Sequence, residues 1–448
     1  MLIREEPLLS VGILTDKKIS FELYGNFLVA GNKRPFSGAF TAEVKDNVLI
    51  CKSAATSLET KDEIVFAPTD YQIESFLVKD VVIGVDFHWQ RKEQQRFNYS
   101  LKLLKDGNKV VAINILPLED YLVSVISSEM SAKGSLQSLK AQTIVARSWV
   151  LAQLEKDRSG KKNEQNTVSE ISEDEIIRWY GREKHKNFDV CADDHCQRFQ
   201  GVTKVTTRNA KEAIEQTRGL VILSDNKICD ARYSKSCGGR TENFENVWEP
   251  VKHSFLKSVI DYKYIPDNFD LDLSIEENAR KWITGNPPAY CNTSDKTILS
   301  QILMDYDQET TDFFRWKVEY KQSELSSIIK EKSRIDFGDI TDLIPVERGA
   351  SARLIRLKII GNKKTLTIGK ELEIRRVLSK SHLYSSAFVV DKVIDKKDVP
   401  SKFIIRGAGW GHGVGLCQIG GAVMAAEGYQ FDEILLHYFS GAKIKKIY

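Results

Sequence analysis

One acidic residue occupies a position where a surface acid is not expected. The stretch at residues 117–149 predicts a helix that begins after Pro117 and carries an apolar stripe including Leu122 and Val125. Glu129 lies seven residues after Leu122 and four after Val125, so it projects from the buried face. An acid held against apolar groups is harder to deprotonate, which suits general-acid chemistry. Periodicity alone leaves open that Glu129 pairs with a surface Lys or Arg.

Four side chains of metal-ligand type occur in the segment HKNFDVCADDHCQRFQG. His185, Cys191, His195 and Cys196 lie within twelve residues of one another. Two imidazoles and two thiolates make a closed tetrahedral set for Zn²⁺, and a closed set leaves no position for water. We therefore expect a structural zinc, because a zinc-dependent hydrolase would need an open coordination position. A loop without metal, or a disulfide between Cys191 and Cys196, remains open.

Two glycine-rich loops, SKSCGG (234–239) and GWGHGVG (409–415), carry hydroxyl and aromatic groups that suit a sugar. The second loop does not have the G-x-G-x-x-G spacing of a dinucleotide site. We expect the loops to meet in one cleft at the end of the Glu129 helix. The predicted substrate-binding residues here are Tyr233, Ser236, Gly238, Gly239, Trp410, His412 and Gln418. A tight turn at the glycines and core roles for Trp410 and His412 remain open, and nothing in the sequence pairs Cys237 with His412 as a nucleophile.

The helix that follows Glu129 carries two cations on one face. Lys140 lies seven residues before Arg147, so both side chains point the same way. They could orient Glu129, pair with its charge or bind substrate. The alternative is that both are ordinary exposed cations.

Three long motifs, in order, resemble the stage II sporulation protein D family (SpoIID/LytB domain). They are LEDYLVSVISSEM with LKAQTIVARSW, then ARYSKSCGGRTENFENVWE, then RGAGWGHGVGLCQIGGAVMAAEGYQFDEILLHYFSGAKI. The resemblance implies a lytic transglycosylase that cuts peptidoglycan glycan strands, with Glu129 as the catalytic acid and zinc at the Cys/His segment. It also implies an alternative, a non-catalytic wall-binding module that enhances an amidase. The residue before the glycine pair is often Ser in the family, whereas here it is Cys237.

Lytic transglycosylation needs only one carboxylate, because no external water is activated, whereas a hydrolytic glycosidase usually needs two. Glu129 would protonate the oxygen between MurNAc and GlcNAc. It would then take the proton from the C6 hydroxyl of MurNAc as that oxygen attacks C1. The expected product is a 1,6-anhydro sugar end.

The composition excludes several classes of protein. The net charge of +3 over 448 residues argues against nucleic-acid binding, and no apolar run approaches the ~20 residues of a membrane span. The N-terminal segment has Glu5 and Glu6 before a short apolar run, so it does not resemble a signal peptide. Since the family acts on the cell wall, we expect an extracytoplasmic location, on the periplasmic or cell-wall side, with the signal sequence absent from this chain.

The pattern along the chain predicts an α+β protein. It predicts two helices within residues 117–155 joined at Gly134, and a helix preceded by an Asp or Ser cap in the stretch IPDNFDLDLSIEENARKWI. It also predicts a hairpin with its turn at Gly361-Asn362 and two short C-terminal helices, 418–427 and 431–438. We expect a strand-rich N-terminal lobe, a mixed α/β catalytic-type core with short helices, and an inserted subdomain. The predicted boundaries are 1–115 for the β-rich lobe, 116–250 for the first part of the core, 251–340 for the insertion, and 341–448 for the C-terminal part with its glycine-rich loop.

Overall fold

The protein mixes helices and strands throughout, which confirms the predicted α+β class. The structure is a computed structural model, and it describes residues 5–84, 90–130, 134–158, 169–180, 185–193, 195–203, 207–302, 312–395 and 399–448. Within these ranges no helix is both long and apolar enough to cross a membrane.

The N-terminal part is built from strands whose alternate side chains are buried. The strands are β1 (Leu8–Asp16), β2 (Lys18–Leu28), β3 (Phe36–Lys45), β4 (Val48–Lys52), β5 (Ser57–Thr60), β6 (Glu63–Pro68), β7 (Ser75–Ile83), β8 (Arg91–Asn98), β9 (Ser100–Asp106) and β10 (Lys109–Pro117). In β2 and β6 the burial alternates as a period-two pattern requires. β10 lies between β1 and β9, antiparallel to both, with Pro117 opposite Leu8.

Two helices follow β10 directly and form the layer that carries Glu129. They are α1 (Leu118–Glu129) and α2 (Leu136–Arg158), so the sequence-predicted break at Gly134 is confirmed. Tyr121, Leu122 and Val125 are fully buried against the N-terminal sheet. The 23-residue helix α2 is also largely buried, so packing stabilises it more than helix propensity does. The buried apolar face of α1 holds this helix against the sheet and so positions Glu129 at its end.

The middle of the chain adds one strand, β13, to the N-terminal sheet and otherwise forms short elements. The elements are β11 (Ser169–Ile171), β12 (Glu175–Arg178), β13 (Val190–Cys191), α3 (Arg208–Gln216), β14 (Leu220–Ser224), β15 (Lys227–Ile228) and β16 (Tyr233–Ser234). β13 pairs in parallel with β1, which brings the Cys/His segment to the N-terminal sheet. Thr207 caps α3 by accepting from the Ala210 amide at 3.3 Å.

The remaining elements complete four smaller sheets and a helical end. They are α4 (Glu276–Thr284), α5 (Lys296–Ile302), β17 (Arg315–Lys321), α6 (Gln322–Ser333), β18 (Ile340–Arg348), β19 (Leu354–Gly361), β20 (Thr365–Gly369), α7 (Glu371–Val377), β21 (Phe388–Ile394), β22 (Pro400–Ala408), β23 (Leu416–Cys417), α8 (Gln418–Ala426), α9 (Phe431–Tyr438) and β24 (Lys443–Lys446). The predicted hairpin at Gly361–Asn362 is confirmed by the pairing of β19 with β20. The predicted Asp or Ser cap of α4 is wrong, because Ile275 precedes that helix and no side chain caps it.

The chain ends close to where α1 begins. β24 pairs antiparallel with β14, and the Tyr448 hydroxyl donates to Glu119 Oε1 at 2.6 Å. A second core, distinct from the one under the N-terminal sheet, lies beneath the two glycine-rich loops and contains Met130, Ile144 and Cys417. The end of α1 therefore lies at the junction of the two cores.

Candidate active site

Glu129 is the last residue of α1 and is half-buried at the helix end. Its neighbours along the apolar stripe, Val125 and Ile126, are fully buried. The Arg198 backbone amide donates to Glu129 Oε1 at 2.7 Å, and this bond fixes the carboxylate in one orientation. The contact comes from a backbone group, which differs from the surface ion pair that periodicity left open.

A cavity of about 180 Å³ opens next to this carboxylate. It is smaller than a typical ligand pocket of roughly 300–1,000 Å³, so it suits a single subsite of a longer ligand. The lining residues are Glu129, Trp149, His195, Cys196, Ala231, Arg232, Tyr233, Trp248 and His412. Of the described residues that line it, Glu129 is the sole carboxylate.

The two glycine-rich loops meet beside this cavity. Residues 233–234 (β16) pair in parallel with residues 416–417 (β23), and the Ser236 and Trp410 backbones exchange hydrogen bonds of 3.0 and 2.8 Å. The paired loops bring Tyr233 and His412 to the same cavity as Glu129. The structure thus brings together five sequence-predicted residues: Glu129, His195, Cys196, Tyr233 and His412.

His412 is held as a neutral imidazole. Burial lowers the pKa of His412 well below its usual value of 6.5, and the charges of Arg232, Arg353 and Arg375 lower it further. The Val414 amide donates to His412 Nδ1 at 3.0 Å, so the single proton of the neutral ring lies on Nε2. The ring therefore adds no charge at the cavity wall.

Stability should fall below neutral pH partly because of His412. The folded-state pKa is lowered, so the stabilising contribution is present above the unfolded value near 6.5 and is lost as pH falls below it. We expect the free energy of unfolding to decrease from pH 7 to pH 5 more steeply in the wild type than in His412→Gln. Denaturant titrations at several pH values test this, and equal slopes would contradict it.

The four Cys/His side chains form one cluster. Their ligand atoms all lie within 4.8 Å of one another, and none of the cysteines is disulfide-bonded. His185 Nε2 is 3.3 Å from Cys196 Sγ, and His195 Nδ1 is 3.8 Å from Cys191 Sγ and 3.6 Å from Cys196 Sγ. Zn–N bonds of ~2.0 Å and Zn–S bonds of ~2.3 Å at the tetrahedral angle place N and S about 3.5 Å apart. The donor set and its spacing therefore fit Zn²⁺.

The segment that follows this cluster, residues 197–200, is hydrogen-bonded to α1. Besides the Arg198–Glu129 bond, the Gln200 amide donates to Ser124 Oγ at 3.1 Å, and the Tyr121 hydroxyl donates to Gln197 Oε1 at 3.1 Å. These three bonds tie the segment after the Cys/His cluster to α1 and to the Glu129 carboxylate.

The structure places Arg147 in a buried ion pair and not in the Glu129 cavity. Arg147 is fully buried, and it donates from Nε and Nη2 to the carboxylate of Glu119 at 3.0 and 2.6 Å and from Nη1 to Leu220 O at 3.1 Å. It can therefore neither orient Glu129 nor reach a substrate. Lys140 Nζ lies 5.5 Å from the centre of the Phe431 ring, and its substrate role stays a prediction.

The structure does not place Ser236, Gly238 and Gly239 in this cavity, whereas Tyr233 lines it. Ser236 is fully buried. Gly238 and Gly239 are buried, with φ of 81° and 103°. A Cβ at Gly238 would lie 2.8 Å from Gly409 N, so this glycine permits close packing of the two loops rather than close approach of a ligand.

Two residues of the second loop region belong to the core. The Trp410 ring packs on Phe313 at 4.7 Å and on Tyr384 at 4.3 Å, so the core alternative describes it better than sugar stacking. Gln418 is buried and donates to Gln142 Oε1 at 3.4 Å. Gln418 therefore does not line the Glu129 cavity, and its substrate-binding role stays a prediction.

Besides Trp149, sequence reasoning missed two polar or aromatic residues of the cavity, Arg232 and Trp248. The Arg232 guanidinium lies 4.4 Å from the centre of the Trp248 ring and pairs with Asp230 at 2.8 Å. The Trp248 ring meets the His412 ring edge-on at 5.1 Å. Both residues lie in the motif ARYSKSCGGRTENFENVWE. The motif alone does not show which of its residues face the cavity.

A larger cavity of about 710 Å³ lies along another side of α1, with Tyr99, Asp120 and Arg218 in its lining. It does not include Glu129 or the glycine-rich loops. Size alone would favour it, but the smaller cavity combines the fixed carboxylate, two Trp rings and the Cys/His cluster. Converging chemical groups outweigh volume in locating a catalytic site.

Two protein-family models match regions of the chain that contain the candidate site. The model of the family described as "Stage II sporulation protein" matches residues 106–223, and a domain of unknown function (DUF8618) matches residues 242–415. The first match contains Glu129 and the Cys/His cluster. The second spans most of the region between the two glycine-rich loops.

Curated relatives are similar over most of this chain. An uncharacterized protein of Brachyspira hyodysenteriae is 24% identical over 345 residues, 77% of this chain and 71% of that protein. Stage II sporulation protein D of Bacillus subtilis is 24% identical over 349 residues, 78% of this chain and 79% of the relative. The amidase enhancer of Bacillus subtilis is 25% identical over 331 residues, 72% of this chain but 40% of the relative.

Proposed function

Because this chain belongs to the stage II sporulation protein D family, we propose that it is a lytic transglycosylase of peptidoglycan with Glu129 as its acid and base. The observation that carries the proposal is a fixed carboxylate in a cavity with aromatic walls and no other described carboxylate. Hydrolysis by the usual route would require a second carboxylate to activate water. An intramolecular nucleophile removes that requirement.

In the proposed reaction Glu129 delivers its proton to the oxygen that links MurNAc to GlcNAc. The bond from that oxygen to C1 breaks, and the leaving GlcNAc keeps the proton. The Glu129 carboxylate then accepts the proton of the C6 hydroxyl as O6 bonds to C1, so the acid is regenerated. The Arg198 amide keeps the carboxylate oriented during both transfers.

The aromatic wall would hold the sugar next to the acid. Trp149, Trp248 and Tyr233 line the cavity, and their rings can pack on the apolar faces of a sugar ring. The neutral His412 ring borders the cavity without adding charge near the acid. Substrate thus packs on aromatic rings, and Glu129 supplies the chemistry.

We further propose that His185, Cys191, His195 and Cys196 hold one structural Zn²⁺. A closed set of four protein ligands contributes stability rather than a metal-bound nucleophile. The ion would fix the loop whose Arg198 amide orients Glu129. The family relationship also supports an extracytoplasmic location, where the glycan strands are.

The double variant Cys191→Ala/Cys196→Ala should lose one equivalent of zinc and unfold at a lower temperature than the wild type. Metal loss removes folding free energy, because the ligands must otherwise be held together without the ion. Elemental analysis and thermal unfolding monitored by circular dichroism measure both effects. An unchanged zinc content, or a Cys191–Cys196 disulfide in the wild type by mass spectrometry, would contradict the assignment.

A second candidate function is favoured by one similarity. A relative is named amidase enhancer, although this chain covers only 40% of it. In this alternative the protein binds glycan strands without cutting them and stimulates a cell-wall amidase. The cavity and its aromatic wall would then serve binding alone.

An assay with two substrates distinguishes the candidates. Purified peptidoglycan, with stem peptides and after their removal, is incubated with the protein, and released soluble fragments and bound protein are both measured. We expect release from at least one substrate. Binding to both without release, together with stimulation of an added amidase, would favour the enhancer function.

A further inference from the structure

A second cluster of ligand-type side chains lies apart from the Cys/His site. It consists of Cys237, Asp261, Cys291 and Cys417, all buried, with one ligand atom of each within 4.8 Å of all the others. These residues come from the SKSCGG loop, the region between residues 251 and 302, and the start of α8. Four ligand-type groups from three separate parts of the chain converge at one buried point.

The spacing in this cluster fits a tetrahedral metal. Cys237 Sγ and Cys291 Sγ are 3.7 Å apart. Two Zn–S bonds of ~2.3 Å at the tetrahedral angle place their sulfurs about 3.8 Å apart. Three thiolates with one carboxylate form a closed set that favours zinc over hard cations such as Mg²⁺.

Outer hydrogen bonds support the ligands as anions. The Cys237 amide donates to Cys417 Sγ at 3.2 Å, and the Cys291 amide donates to Asp261 Oδ2 at 2.9 Å. The Tyr438 hydroxyl donates to Asp261 Oδ1 at 2.5 Å. Donors of this kind orient ligands and stabilise their charge in metal sites.

A partly buried cation lies beside the cluster. The Arg315 guanidinium donates to the carbonyl oxygens of Gly238, Trp282, Gly285 and Phe314, and no ion pair involves it within the described residues. Gly238 directly follows Cys237, and the charges of Cys291 and Cys237 interact favourably with the guanidinium. Three thiolates and one carboxylate with Zn²⁺ carry two net negative charges, and Arg315 offsets one of them. A buried guanidinium without a carboxylate partner is otherwise costly.

We propose that Cys237, Asp261, Cys291 and Cys417 bind a second, structural Zn²⁺. A disulfide between Cys237 and Cys291 would instead leave the Cys417 thiol and the Asp261 carboxylate buried together without a cation. The ion would join the region that contains Asp261 and Cys291 to both glycine-rich loops, since Cys237 follows Tyr233 and Cys417 follows His412. The ion would thereby hold in place the two segments that contribute Tyr233 and His412 to the Glu129 cavity.

The test counts zinc in the wild type and in three variants purified in metal-free buffer. We expect two equivalents in the wild type, one in Cys191→Ala/Cys196→Ala, and one in Cys291→Ala. Cys229→Ala is the matched control, because Cys229 is a buried thiol of the same core that belongs to neither cluster. It should keep two equivalents.

A thiol count separates metal from disulfide and does not depend on how well Cys291→Ala folds. The wild type, denatured with a chelator and without reductant, should expose all seven cysteine thiols. Retention of one zinc by Cys191→Ala/Cys196→Ala then supports the proposal. Five reactive thiols with a Cys237–Cys291 linkage, or no zinc in that double variant, would overturn it. Neither result depends on glycan cleavage.

Discussion

Glu129→Gln should lower the rate of glycan cleavage roughly 10²–10⁴-fold, which is the usual range for one proton-transferring side chain. The amide has nearly the same size and can still accept from the Arg198 amide, but it cannot deliver a proton. Folding and glycan binding should persist, because a neutral amide costs less than a charge beside apolar groups. Release of soluble fragments from peptidoglycan, measured as an initial rate, gives the comparison.

A carboxylate on the same helix provides the control. Asp120 is exposed on α1, accepts from the Tyr99 hydroxyl at 2.7 Å, and borders the larger cavity instead. Asp120→Asn should therefore cleave at nearly the wild-type rate. Full activity in Glu129→Gln would remove the catalytic assignment, and a large loss in Asp120→Asn would move the site to the larger cavity.

Arg147→Met should destabilise the protein by about 3–5 kcal/mol, the typical cost of removing one partner of a buried ion pair. The change leaves the Glu119 carboxylate buried without its cation, and that carboxylate also accepts from the Tyr448 hydroxyl. α1 and the C-terminal end of the chain would both lose an anchor. Urea unfolding followed by circular dichroism measures the effect.

Lys156→Met on the same helix is the matched control. Lys156 pairs with Glu249 at 3.4 Å but is 40% exposed, so its loss should cost less than about 1 kcal/mol. Glycan affinity of folded Arg147→Met should equal that of the wild type. A stable Arg147→Met with weakened glycan binding would restore the substrate role that the sequence predicted.

Local patterns predicted the elements well. The 3.6-residue period of the apolar residues after Pro117 placed Glu129 on the buried face, and the structure has α1 at Leu118–Glu129. The hairpin at Gly361 and the short C-terminal helices also followed from turn residues and spacing. These features depend on neighbours within a few residues, which the sequence shows directly.

Long-range partners were not predictable in the same way. Glu119 lies 28 residues before Arg147, and no spacing rule distinguishes it from Glu129 as a partner. Ser236 and Gly238 looked suited to a ligand, but packing against the Trp410 loop occupies them. Whether a loop glycine faces a ligand or another loop depends on the tertiary fold.

The two ligand clusters illustrate the same difference. His185 and Cys196 are eleven residues apart, and their types and proximity in sequence predicted a cluster that the structure contains. Cys237 is 54 residues from Cys291 and 180 from Cys417, so no local motif connects them. Only the pairing of the two loops brings these thiols together.

The most direct measurement is the mass of the glycan ends that the purified protein produces. Strands digested to completion are separated and analysed by mass spectrometry, with Glu129→Gln as the blank. We predict 1,6-anhydro-MurNAc ends, which are lighter by one water than hydrolytic reducing ends, and none with Glu129→Gln. Reducing MurNAc ends, or intact strands with the wild type, would contradict lytic transglycosylation by a single acid.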